Sequence, residues 1–471
     1  MALKENRPIC LSLRSSSWTI TFVVGLGIAI DLLVYSVVIP VMPFQLERLQ
    51  YSNVAALTGW LLFAFATTIP IAMISERYKA RQVPLISGLL VLIASQVILM
   101  EAPNFSVMCV ARILQGLGSS MVWVVGLALL YCKLALPCVE CLSGKSIPLD
   151  PKSVSYSFSL AVGPPVGGLL YNHYGYRAPF IFGIIASVLD LLGRLLIIER
   201  RTANLYGVDP AAGLNIAPEN AVKEIHKQAS PNEQLCPDSV KKEGTSDQDP
   251  QKHLSLFAVI GRLSNSSRAL VSLFIIFIYG IVYSGQEPTI PLHLQDCWNL
   301  NSKGVGLVFI AAVVPTLFSS PLSGYLADQR GTEWITVAAL LLAIPWWVVI
   351  TIQSHLALFI AAYAVETFFT SAVISPLTAE LASVARGIDG IGYGHVYGAF
   401  NLIYGIGTSV GPIIGGQIYD HIHRGWMVLC LLAMGLLALS FVLACCFVGS
   451  NPLVHRLRRR QHLGGTDDRT L

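Results

Sequence analysis

Charge is scarce in this chain: Lys, Arg, Asp and Glu make up 12% of its 471 residues, and apolar residues 54%. A soluble domain carries about 25% charge. Too little polar surface is available to coat a water-soluble globule, so a soluble enzyme is excluded. No Gly-x-x-x-x-Gly-Lys-[Ser/Thr] pattern occurs, which removes the phosphate cradle of ATP-driven primary transport. The ten cysteines are scattered, without an even framework of paired positions, so no disulfide scaffold is expected. Cys138-x-x-Cys141 stands alone, and a structural zinc needs four ligands; no metal and no cofactor is expected. The net charge of +4 comes from basic residues dispersed among loops, unlike the clustered patch that binds nucleic acid. The stretch before Ser17 is polar and lacks the small-residue cleavage site of a signal peptide. The first apolar run is therefore expected to remain as an anchor.

Long apolar runs are what the chain has in quantity. Twelve reach the length of about 20 residues that a bilayer span needs, at roughly 18–43, 54–75, 83–101, 105–132, 153–173, 177–198, 268–289, 305–327, 332–353, 356–382, 393–419 and 425–448. The polar segment 199–264 has no apolar period and reads as a cytoplasmic linker. Residues 449–471 form a basic tail, whose Arg456, Arg458, Arg459 and Arg460 serve either as a positive-inside stop or as a contact to anionic headgroups. The expected organisation is thus a six-helix bundle over 1–198, a linker over 199–264, a second bundle over 265–448 and a tail over 449–471. With both termini cytoplasmic, about 24 Lys and Arg fall inside and about 4 outside, the latter being Arg48, Arg177, Lys303 and Arg424. A multi-pass protein of the plasma membrane is expected, with a vacuolar or vesicular membrane as the alternative.

The two bundles are copies. Gly163-Pro164-Pro165-Val166-Gly167-Gly168, followed by Tyr171 and His173, returns 248 residues later as Gly411-Pro412-Ile413-Ile414-Gly415-Gly416, followed by Tyr419 and His421. The same offset links Tyr35, Ser36, Pro40, Pro43 and Leu46 to Tyr283, Ser284, Pro288, Pro291 and Leu294. A duplicated six-span unit is a hallmark of carriers. The fold expected is an all-α membrane protein with two pseudo-symmetric bundles.

Ionisable groups inside spans are costly and mark candidate sites. Asp31 lies midway along the first span, with Gly27 and Tyr35 one turn away on the same face. Glu287 lies near the outer end of the seventh. Arg112 and Gln115 open the fourth, Asp190 lies in the sixth and Glu366 in the tenth. A carboxylate in a low-dielectric cavity can load and release a proton, which proton-coupled transport requires. The competing reading is that one or two of these acids merely neutralise Arg112 or bond to backbone.

Proline and glycine in the two repeated motifs predict kinked helices with close neighbours, at Gly163, Pro164, Gly167, Gly168, Gly411 and Pro412. A loop pattern also recurs. Gly324 through Asp328-Gln329-Arg330-Gly331 follows the eighth span, and a degraded copy with Glu76 and Arg77 follows the second. An acid at a helix end beside a basic loop can latch a neighbouring helix in one conformation. Asn104-Phe105-Ser106 is a glycosylation pattern in an outer loop beside the bilayer.

Four stretches carry a family resemblance: Asp31-x-x-x-Tyr35-x-x-x-x-Pro40-x-x-Pro43, Arg112-Ile113-Leu114-Gln115-Gly116, Gly163-Pro164-Pro165 through Gly168, and Glu287-Pro288-x-x-Pro291. They resemble the major facilitator superfamily, in particular the twelve-span drug:proton antiporters of the vesicular-amine-transporter-like branch, fungal members included. The resemblance implies that Asp31 and Glu287 help bind substrate or protons and that Arg112 takes part in coupling. It further implies that the fifth-span Gly-Pro motif marks an exporter and that the carrier is a monomer. Tyr35, Gln115 and Asn401 complete the expected binding set.

Two departures from that branch are informative. Its amine carriers place acids in spans ten and eleven, where this chain has Ser371 and Asn401, which favours a neutral or weakly acidic cargo over a cationic amine. The stretch 131–158 is polar and unlike the branch. Glu76 and Gly163 are 87 residues apart, and Asp328 and Gly411 are 83 apart, so sequence is replaced there, not lost, and the fifth span is expected to be short on its cytoplasmic side. The leading expectation is a proton-coupled exporter of a small organic compound, a specialised metabolite or drug. A facilitative or proton-symport importer and a non-transporting variant are the alternatives.

Overall fold

Helices occupy each of the twelve expected spans in a computed structural model of the chain, which describes residues 17–66, 82–134, 151–196, 256–388, 393–450, 452–454 and 456. No strand occurs among them. The first six spans are Ser17–Val38, Val54–Ala66, Gln82–Met100, Phe105–Leu134, Pro151–Tyr174 and Arg177–Leu196. The second six are Ser267–Gly285, Ser302–Arg330, Thr332–Ile350, Leu356–Ser371, Tyr393–His421 and Gly425–Phe447. Among the described residues, eight stretches are long and apolar enough to cross a membrane. The second and third spans appear as shorter apolar helices, Val54–Ala66 and Leu85–Met100.

Proline sets the breaks. The first span stops at Val38 and resumes as Met42–Arg48 around Pro40; the seventh stops at Gly285 and resumes after Pro288 as Ile290–Trp298. The tenth stops at Ser371 and resumes as Ile374–Ala385, just before Pro376. Proline donates no N–H and crowds the preceding turn, so the helix cannot run through it unaltered. The matching breaks in spans one and seven are what a duplication at offset 248 requires.

Spans turn their polar faces inward. The sixth buries Gly183, Ser187, Asp190 and Arg194, spaced by three or four residues. Ile185, Leu189, Leu192 and Leu196 on its other side are exposed. That is the amphipathic pattern of a soluble helix turned inside out, as a lipid-facing helix demands.

Two findings differ from the sequence reading. The fifth span is a helix of 24 residues, about 36 Å at 1.5 Å per residue, and so is not shortened. Leu256–Ser264, read as the end of the linker, is helical and buries Val259 and Leu263. Glu76, Arg77, Cys138 and Cys141 lie outside the described residues.

The glycine motifs make two kinds of seam. Within each half they join the motif helix to the first span of that half: a Cβ at Gly163 would overlap Ser36 Oγ, and one at Gly411 would overlap Ser284 Oγ. Between halves they join span five to span eight and span eleven to span two. A Cβ at Gly168 would overlap the Ser302 carbonyl, one at Gly306 would lie 2.5 Å from the Pro164 carbonyl, and one at Gly416 would overlap the Ala55 carbonyl. Backbones can approach this closely only where a side chain is missing.

Polar bonds cross between the halves at the same end. Ser302 Oγ donates to the Pro40 carbonyl at 3.2 Å, and Gln295 Nε2 donates to Glu47 Oε2 at 2.8 Å. The Ala56 amide donates to Asp420 Oδ2 at 2.7 Å. The halves are therefore sealed at the end of the bundle that carries the one–two and seven–eight connections.

Candidate substrate and proton site

Glu287 sits in the turn that Pro288 forces after the seventh span, and it is buried. Its Oε2 accepts a 2.7 Å hydrogen bond from the Tyr35 hydroxyl of the first span, across the seam between the halves. The Tyr35 ring packs on Phe65 of the second span with centroids 4.9 Å apart. Over that same Phe65 ring, at 5.8 Å, lies the guanidinium of Arg112, close enough for a cation–π attraction.

Arg112 has no exposed surface. Its Nη1 donates to Gln115 Oε1 at 2.9 Å, one turn on. Its Nε and Nη2 meet no hydrogen-bond acceptor among the described residues. The Arg112 and Glu287 charges are within electrostatic reach of each other, so an acid from one half faces a base from the other. A buried charge needs such a partner to be tolerated.

Asp31 forms a second node, one turn from Tyr35. It is buried, and its Oδ2 accepts from the Ser119 hydroxyl of the fourth span at 2.6 Å. From the Glu287 node a ladder of rings runs along the seventh span and across to the eleventh. Tyr283 stacks on Tyr279 (5.9 Å), Tyr279 on Tyr404 (5.8 Å) and Tyr404 on Phe400 (5.8 Å). Tyr283 and Tyr404 are two rungs of one stack.

Of the predicted site residues, Tyr35, Glu287, Arg112 and Gln115 come together, and Asp31 lies one turn away. Asn401 is half-buried on the eleventh span, one turn before Tyr404, and joins neither node. Glu366 stands apart from the seam, accepting from Thr370 Oγ1 at 2.6 Å. Asn104 is exposed and its Oδ1 accepts from the Val107 amide at 3.0 Å, so it caps the fourth span.

At the opposite end of the C-terminal half, Asp328 and Arg330 are exposed. The buried acids there are Glu333 and Glu380. Glu380 pairs with Arg268 at 2.6 Å and accepts from Thr332 Oγ1 at 2.8 Å and the Gly449 amide at 3.1 Å. Glu333 pairs with Arg456 of the tail. Sequence reading missed Phe65, Ser119, Glu333 and Glu380. The one signal for Glu333 was its place in the first turn of the ninth span, where an acid suits the helix dipole.

The chain is similar to known membrane proteins. The model of the Major Facilitator Superfamily matches residues 17–131 and 272–466, more than half of the chain. An MFS-type transporter of Schizosaccharomyces pombe is 25% identical over 441 residues, covering 88% of this chain and 93% of that protein. A vesicular acetylcholine transporter of Drosophila melanogaster is 24% identical over 377 residues, covering 80% of this chain and 55% of its own. The crystal structure of the human organic anion transporter MFSD10 shares the fold, with a TM-score of 0.56 at 17% identity over 91% of this chain and 99% of that one. Twelve helices in two copied halves, an ionisable site on their seam and a family match along most of the membrane-embedded chain lead to one conclusion: this is a multi-pass membrane transporter, not an enzyme, and it belongs to the Major Facilitator Superfamily.

Proposed function

We propose that the chain exports a small organic compound in exchange for protons, by alternating access between its two halves. The observation that carries the reading is the Tyr35–Glu287 hydrogen bond. It joins a protonatable carboxylate of one half to the other half, at the end where the halves are sealed. Protonating Glu287 removes the charge that Tyr35 and Arg112 hold, and with it part of what keeps that end shut. A cargo entering from the opposite end meets the ladder of Tyr283, Tyr279, Tyr404 and Phe400 before it reaches this node. Flat rings favour a flat, apolar compound, and the idle Arg112 donors suit an acceptor group on it. A specialised metabolite or drug of neutral or weakly acidic character fits those surfaces.

The positive-inside pattern supports cytoplasmic termini, which makes the sealed end the outer one. On this reading residues 1–198 and 265–448 rock against each other about the Gly163–Gly168 and Gly411–Gly416 motifs, and the monomer is the working unit. The test is proton movement in reconstituted vesicles under an imposed pH gradient, with a panel of lipophilic compounds, comparing the chain with Glu287→Gln and Asp31→Asn. Compound-dependent proton flux that disappears in both variants is expected. Compound uptake with no proton movement, or flux that survives Glu287→Gln, would refute the coupling.

A further inference from the structure

The sixth span holds an ion pair that the Glu287 node does not use. Asp190 and Arg194 are one turn apart with side chains 0% and 2% exposed, and Arg194 Nε donates to the two Asp190 oxygens at 3.0 and 2.9 Å. Both bonds are made by Nε. Nη1 and Nη2 are buried with no hydrogen-bond acceptor among the described residues. Idle buried donors are rare and call for an explanation, the more so on a guanidinium inside a membrane.

Their position supplies one. Arg194 lies against Gly27 of the first span: a Cβ there would overlap Nη2, and would sit 2.6 Å from Asp190 Oδ1 and 2.8 Å from Arg194 Cζ. A helical side chain leans toward the N-terminus, over the residue one turn before it. For Asp31 that residue is Gly27. The absence of a side chain at Gly27 is the opening through which Arg194 reaches the first span, about 6 Å along the helix axis from Asp31 at 1.5 Å per residue. Among the described residues, Ser119 of the fourth span bonds Asp31, Asp190 and Arg194 of the sixth lie against Gly27 one turn before it, and Tyr35 lies one turn on along its own helix.

We infer that Arg194 is the positioning residue of Asp31, its Nη groups forming a second seat for a carboxylate that here rests on Ser119. The carboxylate moves between the two seats as it gains and loses its proton, and Asp190 keeps Arg194 in place throughout. A consequence follows for cargo. Among the described residues, the interior of the N-terminal half then sets two acids, Asp31 and Asp190, against two bases, Arg112 and Arg194, with no surplus negative charge to draw in an organic cation.

This deepens the proton-coupled reading and rests on it, yet its test needs no transport. Dicyclohexylcarbodiimide modifies protonated carboxyls in apolar surroundings, and peptide mass spectrometry reads each site separately. The purified full chain is compared with Asp190→Asn/Arg194→Gln, which removes the pair as a unit and strands no acid, and with Arg194→Lys. Asp31 labelling should speed up about tenfold or more in the paired variant, the effect of one pKa unit. It should return toward the slow rate in Arg194→Lys, with Glu287 labelling constant throughout. Unchanged Asp31 labelling, Arg194→Lys as fast as the paired variant, or a parallel rise at Glu287 that marks general loosening would each overturn it. A chain that moves no protons in vesicles sinks the transport reading alone, since the labelling result stands separately.

Discussion

Alanine at Gly168 or Gly416 should open the sealed end, whereas alanine at Gly163 or Gly411 should not. At Gly168 the added Cβ would overlap the Ser302 carbonyl and lie 2.9 Å from its carbon and 3.3 Å from Lys303 Cα. At Gly416 it would overlap the Ala55 carbonyl and lie 2.8 Å from its carbon and 2.9 Å from Ala56 Cα. Carbon atoms prefer about 3.5–4.0 Å, so the helices must part by about 0.5–1 Å. Overpacking of this kind costs about 1–3 kcal/mol. The contact partners belong to opposite halves, so the cost falls only on conformations in which that end is closed. The closed-to-open ratio should then drop about 5- to 150-fold.

At Gly163 and Gly411 the obstacles are Ser36 and Ser284, in the same half, and the strain is present whichever end is open. Hydrogen exchange read by mass spectrometry over segments 53–58 and 300–306 separates the cases. Exchange should accelerate strongly in the first pair of variants and little in the second, while thermal stability falls in all four. Equal acceleration in all four would refute the assignment of these glycines to two kinds of seam.

Three further outcomes are expected. Tyr35→Phe removes the donor to Glu287, a charge-assisted bond worth about 1.5–3 kcal/mol; compound-driven proton flux should fall by one to two orders of magnitude, and full flux would show that the bond has no role. Asp420→Asn weakens the charged cap on the second span by about 0.5–2 kcal/mol; exchange of the Ala56 amide should rise several-fold, with Glu287 chemistry unaltered. Arg268→Gln leaves the buried Glu380 without its cation, about 1–3 kcal/mol; the melting temperature should drop, and adding Glu380→Gln should restore part of it, a non-additivity that independent surface residues would not show.

The spans and the copied halves were legible in the sequence because each rests on a local rule: an apolar run long enough for the bilayer, a motif repeated at a fixed offset. Tyr35, Glu287 and Arg112 were legible for a related reason, since an ionisable group inside a span is conspicuous on its own. What escaped was pairing. Nothing near Asp31 in the chain announces Ser119, 88 residues away, and nothing near Arg112 announces Phe65. The recurring loop pattern drew attention to Asp328, while the buried acids beside it proved to be Glu333 and Glu380. Their importance comes from Arg268 and Arg456, which only the folded chain brings near. The helix at Leu256–Ser264 was obscured by the polar stretch before it.

One small mismatch between the copies has a longer reach. The eighth span starts from Asn301, which is extended (φ −78°, ψ 171°) and caps its own helix through the Gly304 amide. Its counterpart Asn53 has φ 58°, outside the extended region from which a side chain can cap. The Ala56 amide, counterpart of Gly304, is satisfied by Asp420 from the other copy, where the first copy has Asn172. One half therefore finishes its own helix and the other borrows. If the two halves were produced as separate polypeptides, the C-terminal one would keep the cap on its eighth span, and the N-terminal one would be the dependent partner, its second helix fraying until its twin arrived.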